Sequence, residues 1–315
     1  MLPVDDDELP TYDQLPVHPV LGLPHAWGVL DPDVGSLALA TPAAVAAAAA
    51  LVTEGEQIPL NVSLGLISPP LFGRAALRHS VHADDRNTFE DVLDSFNPQA
   101  GSQWDGFRHV RAREFGFFGG VEDIAPEDTE TLSIEHIARR GVAARGVLLD
   151  VAAWFAHTGQ HWDPFAGDLV EAQVLADVAV HQGVQLRRGD IVCVRLGWVA
   201  AYRALEPSER SDERLSGRFS GLRSNADTAK FLWDHHVAAV CTDNPAIESA
   251  PGNREDGSLH RRLLPLLGIV MGELFDLERL AARCTTLGRY EFLFMAAPLP
   301  VPGGLSSPAN AMALL

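Results

Sequence analysis

The chain has 315 residues, 47% of them apolar, enough to fill a sizeable core in one large domain. Acidic residues outnumber lysine and arginine by 42 to 24, for a net charge of −18. That balance argues against nucleic acid and against anionic membranes as partners, since both need a basic surface.

Asp5, Asp6, Asp7 and Glu8 stand where an export signal would carry positive charge, so a cytoplasmic protein is expected. Pro42 to Val52 is an alanine-rich run with Thr41 as N-cap, proline in the first turn and Gly55 as its stop. At about eleven residues it is roughly half of what spans a bilayer, and it reads as a packed surface helix. Ile58 to Ile67 reads as a strand entering a turn at Pro69-Pro70, and Arg74 and His79 then fall in what the residues alone describe as a solvated loop.

The stretch Gln99-Ala-Gly-Ser-Gln103-Trp104-Asp105-Gly-Phe-Arg-His109 concentrates two amides, a carboxylate and an imidazole. Beyond it, Ile134 to Arg140 predicts a short helix closed by Gly141, and Val147 to Asp150 a buried strand. His157-Thr-Gly159-Gln-His161-Trp-Asp163-Pro164 offers two imidazoles and a carboxylate at ligand spacing. Gly159 and Pro164 break regular structure there, and a surface turn after a helix is the expectation. Leu169 to Gln182 predicts a helix; Asp190 to Leu196 and Val237 to Thr242 predict strands. His235 and His236 fit core or capping roles at a helix end. Asp243 and Glu248 flank Asn244-Pro245 after a strand, where active-site loops commonly lie.

Leu263 to Met271 is too apolar to be exposed and is expected to cross the core toward Glu273. Gly303 to Pro308 suits a flexible terminus. Cys193, Cys241 and Cys284 lie far apart with no paired spacing and are expected to be buried structural thiols. No linker divides the chain. It reads as a single α+β domain over 1–315, with 1–26 as an N-terminal extension and 299–315 as a C-terminal loop and tail. A Gly-x-Ser-x-Gly elbow, a His-Glu-x-x-His helix, a phosphate-binding loop and a dinucleotide fingerprint are all missing, so no nucleotide cofactor is expected.

The stretch from Gln99 to His109 resembles the His-x-Gly-Thr-His-x-Asp-x-Pro-x-His motif of the cyclase family, metal-dependent hydrolases that include bacterial kynurenine formamidase and isatin hydrolase. Gly101, Asp105 and His109 fall in place, while Gln99 and Gln103 replace the two early histidines. Arg145-Gly-Val-Leu-Leu-Asp150, Gly189 to Trp198, Thr242 to Glu248, His260-Arg-Arg-Leu-Leu and Gly272-Glu273-Leu-Phe-Asp-Leu extend the resemblance from about Trp27 to the end. It implies a swivelling β/β/α domain, a homo-oligomer (dimer or tetramer), His109 as general acid/base, and Asp105, His260 and Glu273 as ligands of a divalent zinc or manganese ion. It also implies that the region of Arg74 and His79 faces the pocket and that the 303–308 loop closes over it. In the family the motif precedes the strand at Gly146 to Asp150, whereas His157 to Pro164 follows it.

A glutamine offers only a neutral carbonyl oxygen, a weaker ligand than imidazole, so a metal-free site stands beside the metal one. In that reading Asp105 orients His109, as the acid does in hydrolytic triads. The Gln99 and Gln103 amides stabilise an oxyanion, Trp104 packs on a planar substrate and Glu248 adds a carboxylate to the substrate site. The expected function is hydrolysis of a small cyclic or acyl substrate, an amide, lactone or ester. A lyase or true cyclase of secondary metabolism using the same histidine, or a small-molecule-binding protein without catalysis, are the alternatives.

Overall fold

Long apolar runs in the middle of the chain become the covered strands of a nine-stranded mixed sheet in the computed structural model, which describes residues 9–315. Asp5 to Glu8 lie outside the described residues. In chain order the strands are β1 (Gln57–Pro59), β2 (Arg78–Ala83), β3 (Phe89–Asp94), β4 (Gln103–Asp105), β5 (Val142–Asp150), β6 (Leu169–Val170), β7 (Ile191–Arg195), β8 (Gly221–Leu222), β9 (Ala239–Thr242), β10 (Val270–Glu273), β11 (Glu291–Ala296), β12 (Ser306–Pro308) and β13 (Ala311–Leu314). The large sheet runs β1-β13-β11-β5-β7-β9-β10-β4-β12. Strands β5, β7, β9 and β10 are parallel, and antiparallel strands flank them on both sides. The parallel strands are rich in Val, Leu, Ile and Cys without alternation, as strands covered on both faces are. Strands β2 and β3 form a separate exposed hairpin.

The helices are α1 (Pro42–Ala49), α2 (Ile134–Arg140), α3 (Val151–Thr158), α4 (Ala172–His181), α5 (Trp198–Ala204), α6 (Asp212–Gly217), α7 (Ala226–Asp234), α8 (Leu259–Arg261) and α9 (Glu278–Leu287). Local chemistry sets their ends. Thr41 Oγ1 accepts from the Ala44 amide at 3.2 Å at the start of α1, and Ser133 caps α2, whose last turn ends at Gly141 with φ 71°. Architecture and composition agree on an α+β fold. No helix among the described residues is long and apolar enough to cross a membrane. All three cysteines are buried and unbridged.

Several elements depart from the sequence reading. Of the expected Ile58 to Ile67 strand only Ile58 and Pro59 are in the ladder; the Leu60 amide adds a last bond to the Ala311 carbonyl, and the chain then turns to bury Val62, Ile67 and Leu71 in a second core around Trp198 and Tyr202. Leu169 and Val170 pair with Gly221 and Leu222, and the helix begins at Ala172. Leu263 to Met271 divides into a π-helical turn over Arg262–Leu267, which accommodates Pro265, and strand β10. The 299–315 segment is not a free tail: it supplies β12 and β13, with Ser306, Ser307, Ala311 and Ala313 buried. Residues 9–26 pack onto the body, with Tyr12 and Leu15 in the main core and the Trp233 indole donating to the Pro10 carbonyl.

The pairing of β4 with β10 positions the candidate site. Gln103 faces Glu273 and Asp105 faces Met271 across this antiparallel pair, so the pleat puts Gln103, Asp105 and Glu273 on one face. Trp104, opposite Gly272, points to the other. A side chain at Gly272 would meet the Phe275 ring at 2.6 Å and Cys241 Sγ at 2.9 Å, so glycine keeps this crossing close.

Candidate active site

The last residues of short strands and the loops beside them converge on one polar cluster. Asp105 ends β4, Glu273 ends β10, Glu248 lies in the loop after β9, and His260 sits on the single turn of α8. Gln99 and His109 come from the loops on either side of β4. Asp105 and Gln103 are fully buried and Glu273 is 2% exposed, whereas the His109 side chain is 24% exposed. His109 is thus the accessible edge of a buried carboxylate cluster.

His260 is held between two carboxylates. Its Nδ1 lies 2.5 Å from Glu248 Oε2 and its Nε2 lies 3.0 Å from Glu273 Oε1. Glu248 Oε1 accepts from Ser258 Oγ at 3.1 Å and from the His260 amide at 3.3 Å. Burial disfavours the imidazolium, but Glu248 and Glu273 override it and hold His260 well above the usual histidine range. Burial, reinforced by repulsion from Asp105, pushes Glu273 up to about 7. Burial acts upward on Glu248 too, and the adjacent His260 outweighs it, so Glu248 sits below its ordinary value.

Both glutamines are engaged with carboxylates. Gln99 Nε2 donates to Asp105 Oδ1 at 2.9 Å and reaches His109 Nδ1 at 3.1 Å. Gln103 Nε2 donates to Glu273 Oε2 at 2.6 Å. Their amide hydrogens therefore stabilise the cluster's own negative charge, which corrects the expectation of an oxyanion hole. Asp105 Oδ1 is 4.0 Å from His109 Nε2, too far for a hydrogen bond. Gln99 bridges the two instead, as a relay in place of the direct pair expected.

Two further assignments change. Trp104 is wholly buried, donates to the Ala309 carbonyl at 3.0 Å and packs edge-on against Phe275 and Phe294, so it cannot stack on a substrate. Strand alternation is the cause, since neighbours of Asp105 in β4 point away from it. Glu248, expected at the substrate, has both oxygens committed around His260 and acts as its positioning residue. Arg74 joins the cluster by donating to the Gln99 carbonyl oxygen, while His79 lies on the exposed hairpin beside Asp91. His157 packs against Trp154 and His181 on the surface, with His161 and Asp163 outside any ligand cluster among the described residues. His235 caps α7. Residues 306–308 form the edge strand beside β4, so the 303–308 segment adjoins the site as fixed structure.

The residues fit a divalent cation. Asp105, His109 and His260 each bring a ligand atom within 4.8 Å of the others, and Asp105 Oδ2 is buried without a hydrogen-bond partner. A buried carboxylate oxygen left unpaired is costly, and a cation would satisfy it. Gln103 Oε1 is unpaired as well. The ligand atoms gathered there are those of Asp105, His109 and His260, while Glu273, expected from the sequence as a ligand, lies against His260 Nε2 at 3.0 Å. Chelator-stripped protein offered Mn²⁺ in a calorimeter should bind it through this set. Asp105→Asn should weaken binding by at least ~100-fold, the upper end of what even losing a ligand's outer partner costs. His157→Ala/His161→Ala should leave it unchanged, and the reverse pattern would move the metal site to the surface turn.

A sequence profile of the family described as "Putative cyclase" matches residues 36–249. No curated protein matches the chain. Among solved structures, one described as a novel cyclase is similar at a TM-score of 0.81 and 26% identity, covering 92% of this chain and 99% of that one. An isatin hydrolase bound to the product analogue thioisatinate gives 0.61 and 17%, covering 87% and 98%. A protein from Bacillus stearothermophilus described as a metal-dependent hydrolase gives 0.50 and 15%, covering 82% and 97%. The last two likenesses concern the fold.

Proposed function

We infer the function from the premise that this chain belongs to the cyclase family, whose profile covers most of it: it is a hydrolase of small cyclic or acyl substrates, an amide, lactone or ester. The observation that carries this reading is His109, a partly exposed imidazole at the edge of a sealed cluster of carboxylates, tied by the Gln99 amide to Asp105. Such a group takes a proton from water as the water oxygen bonds to a carbonyl carbon, and gives it to the departing nitrogen or oxygen as that bond breaks. The incoming water displaces the Gln99 amide from Nδ1, the ring nitrogen with the lone pair. In a metal-bound form of the site Asp105, His109 and His260 would hold a divalent cation, with His109 then a ligand in place of the base and His260 neutral and released from Glu273. Bound there, a cation polarises a carbonyl and acidifies water.

The pH dependence follows from the surroundings of His109. Burial lowers its affinity for a proton, the positive His260 and Arg74 lower it further, and Asp105 opposes them. A base acts when deprotonated, so kcat/KM should rise with pH through a midpoint below 6.5, the ordinary histidine value, and be level at neutral pH. A rate profile whose acid limb centres above 6.5 would remove His109 as the base.

The direct test is turnover in water enriched in heavy oxygen. Isatin, a cyclic amide, comes first because a structural neighbour is an isatin hydrolase; simple lactones and N-formyl anilines follow. Hydrolysis puts the label in the product. Product formed without label would mean elimination or ring closure by the same histidine.

A further inference from the structure

We propose that Arg74 binds the carboxylate that the reaction releases, and that the natural substrate is one whose cleavage leaves an anion at this guanidinium. The proposal takes the location of the site from the hydrolase reading and adds the partner for the negative charge.

Arg74 lies on the strap between β1 and β2, held in place from outside the site. The Phe72 and Gly73 amides donate to the two carboxylate oxygens of Asp212, on α6, at 2.6 and 2.8 Å. The half-buried guanidinium lies 5.0 Å from the Phe72 ring centre and donates to the carbonyl of Gln99, the residue whose side chain touches both Asp105 and His109. Asp105, Glu273 and Asp212 are near enough to attract it. None of them forms an ion pair or hydrogen bond with it, and among the described residues that one carbonyl is its hydrogen-bond partner. Arginine carries five N–H donors in a planar fork suited to carboxylate. A half-buried guanidinium with most of that fork unspent is poised for an anion.

The rest of the cluster makes the need specific. Cleavage of an amide, lactone or ester turns a neutral carbonyl into a tetrahedral oxyanion and then a carboxylate. The side-chain donors nearest His109 are spoken for: Gln99 serves Asp105 and His109, Gln103 serves Glu273, and His260 serves Glu248 and Glu273. Those same bonds offset the charge of Asp105 and Glu273, which would otherwise repel an anion. Arg74 retains uncommitted donors.

The test is calorimetric binding of benzoate and of its neutral counterpart benzamide to the full-length, chelator-treated protein, so that no cation supplies the attraction. The parent should prefer benzoate by at least ~10-fold, as expected for a charge-assisted bidentate contact. Arg74→Gln should lose that preference and keep its benzamide affinity. Should Arg74→Gln fail to fold, Arg74→Lys, which retains charge without the fork, is expected to show a reduced preference. Equal binding of the two probes by the parent, or a preference undiminished in the variant that folds, overturns the proposal. Benzoate preference in a protein that hydrolyses none of the panel leaves Arg74 standing and removes the hydrolase reading; hydrolysis without the preference does the opposite.

Discussion

Replacing His109 by alanine should reduce kcat by about 10²–10⁴-fold, the usual contribution of a positioned general acid/base, without altering the unfolding midpoint. The loss should be large because no other accessible group near Asp105 exchanges protons on the same terms. His260 is clamped between Glu248 and Glu273, which hold its proton affinity well above the usual histidine range, and Glu273 is 2% exposed. Stability should survive because His109 is partly exposed and its polar contacts are the Gln99 amide at 3.1 Å and Asp105 at 4.0 Å, with the His260 ring 6.1 Å away between centres. Steady-state rates and a chemical unfolding curve on the same preparation decide the matter. Near-parental turnover, or a loss explained by unfolding, would take the chemistry away from His109.

Asp190→Ala should cost about 3–5 kcal/mol of stability, the usual cost of breaking a buried ion pair, because Arg145 keeps only the more exposed Glu291 as a counter-charge. Arg145 Nε and Nη2 meet the two Asp190 oxygens at 2.8 and 2.6 Å, with side-chain exposures of 8% and 2%. Asp190 also accepts the Arg187 amide at 2.7 Å, and Arg145 reaches Glu291 and the Gln185 carbonyl. These bonds join β5, the turn into β7 and β11, in the middle of the sheet. Arg145→Met/Asp190→Leu should recover most of the loss, because burying the pair costs nearly as much as its attraction returns. Denaturant titration measures both variants. A loss below about 1 kcal/mol for Asp190→Ala would place the pair with solvent-screened surface bridges.

The central strands and several helix ends were legible in the sequence because unbroken Val/Leu/Ile runs, Thr41, Ser133 and Gly141 act locally. So was the cluster around Asp105 and His109, which lies within eleven residues of chain. The direction of Trp104 was also available: Gln103-Trp104-Asp105 alternates, so whichever face takes the carboxylate cannot take the indole. The engagement of Glu248 with His260, and of Gln103 with Glu273, depends on pairings between distant segments that no local pattern encodes. Arg74 was visible only as a charge in a loop. Strands β12 and β13 escaped because their buried residues are small, and Ser306, Ser307, Ala311 and Ala313 give little of the β-branched signal on which strand reading rests.

The neighbours of β4 also set an order of events during synthesis. The strand that carries Gln103 and Asp105 pairs with β10 and β12 and with nothing nearer in sequence, so it stays without a ladder until Val270–Glu273 has been made and keeps one open edge until Ser306–Pro308 follows. β1 waits longer still, for Ala311–Leu314. Such distant closures are slow and leave apolar edges unpaired while they are pending. A nascent chain can therefore consolidate α3 against β5 and β7 early, but the proton-transfer site forms only once β10 has been made and brings Glu273 to β4.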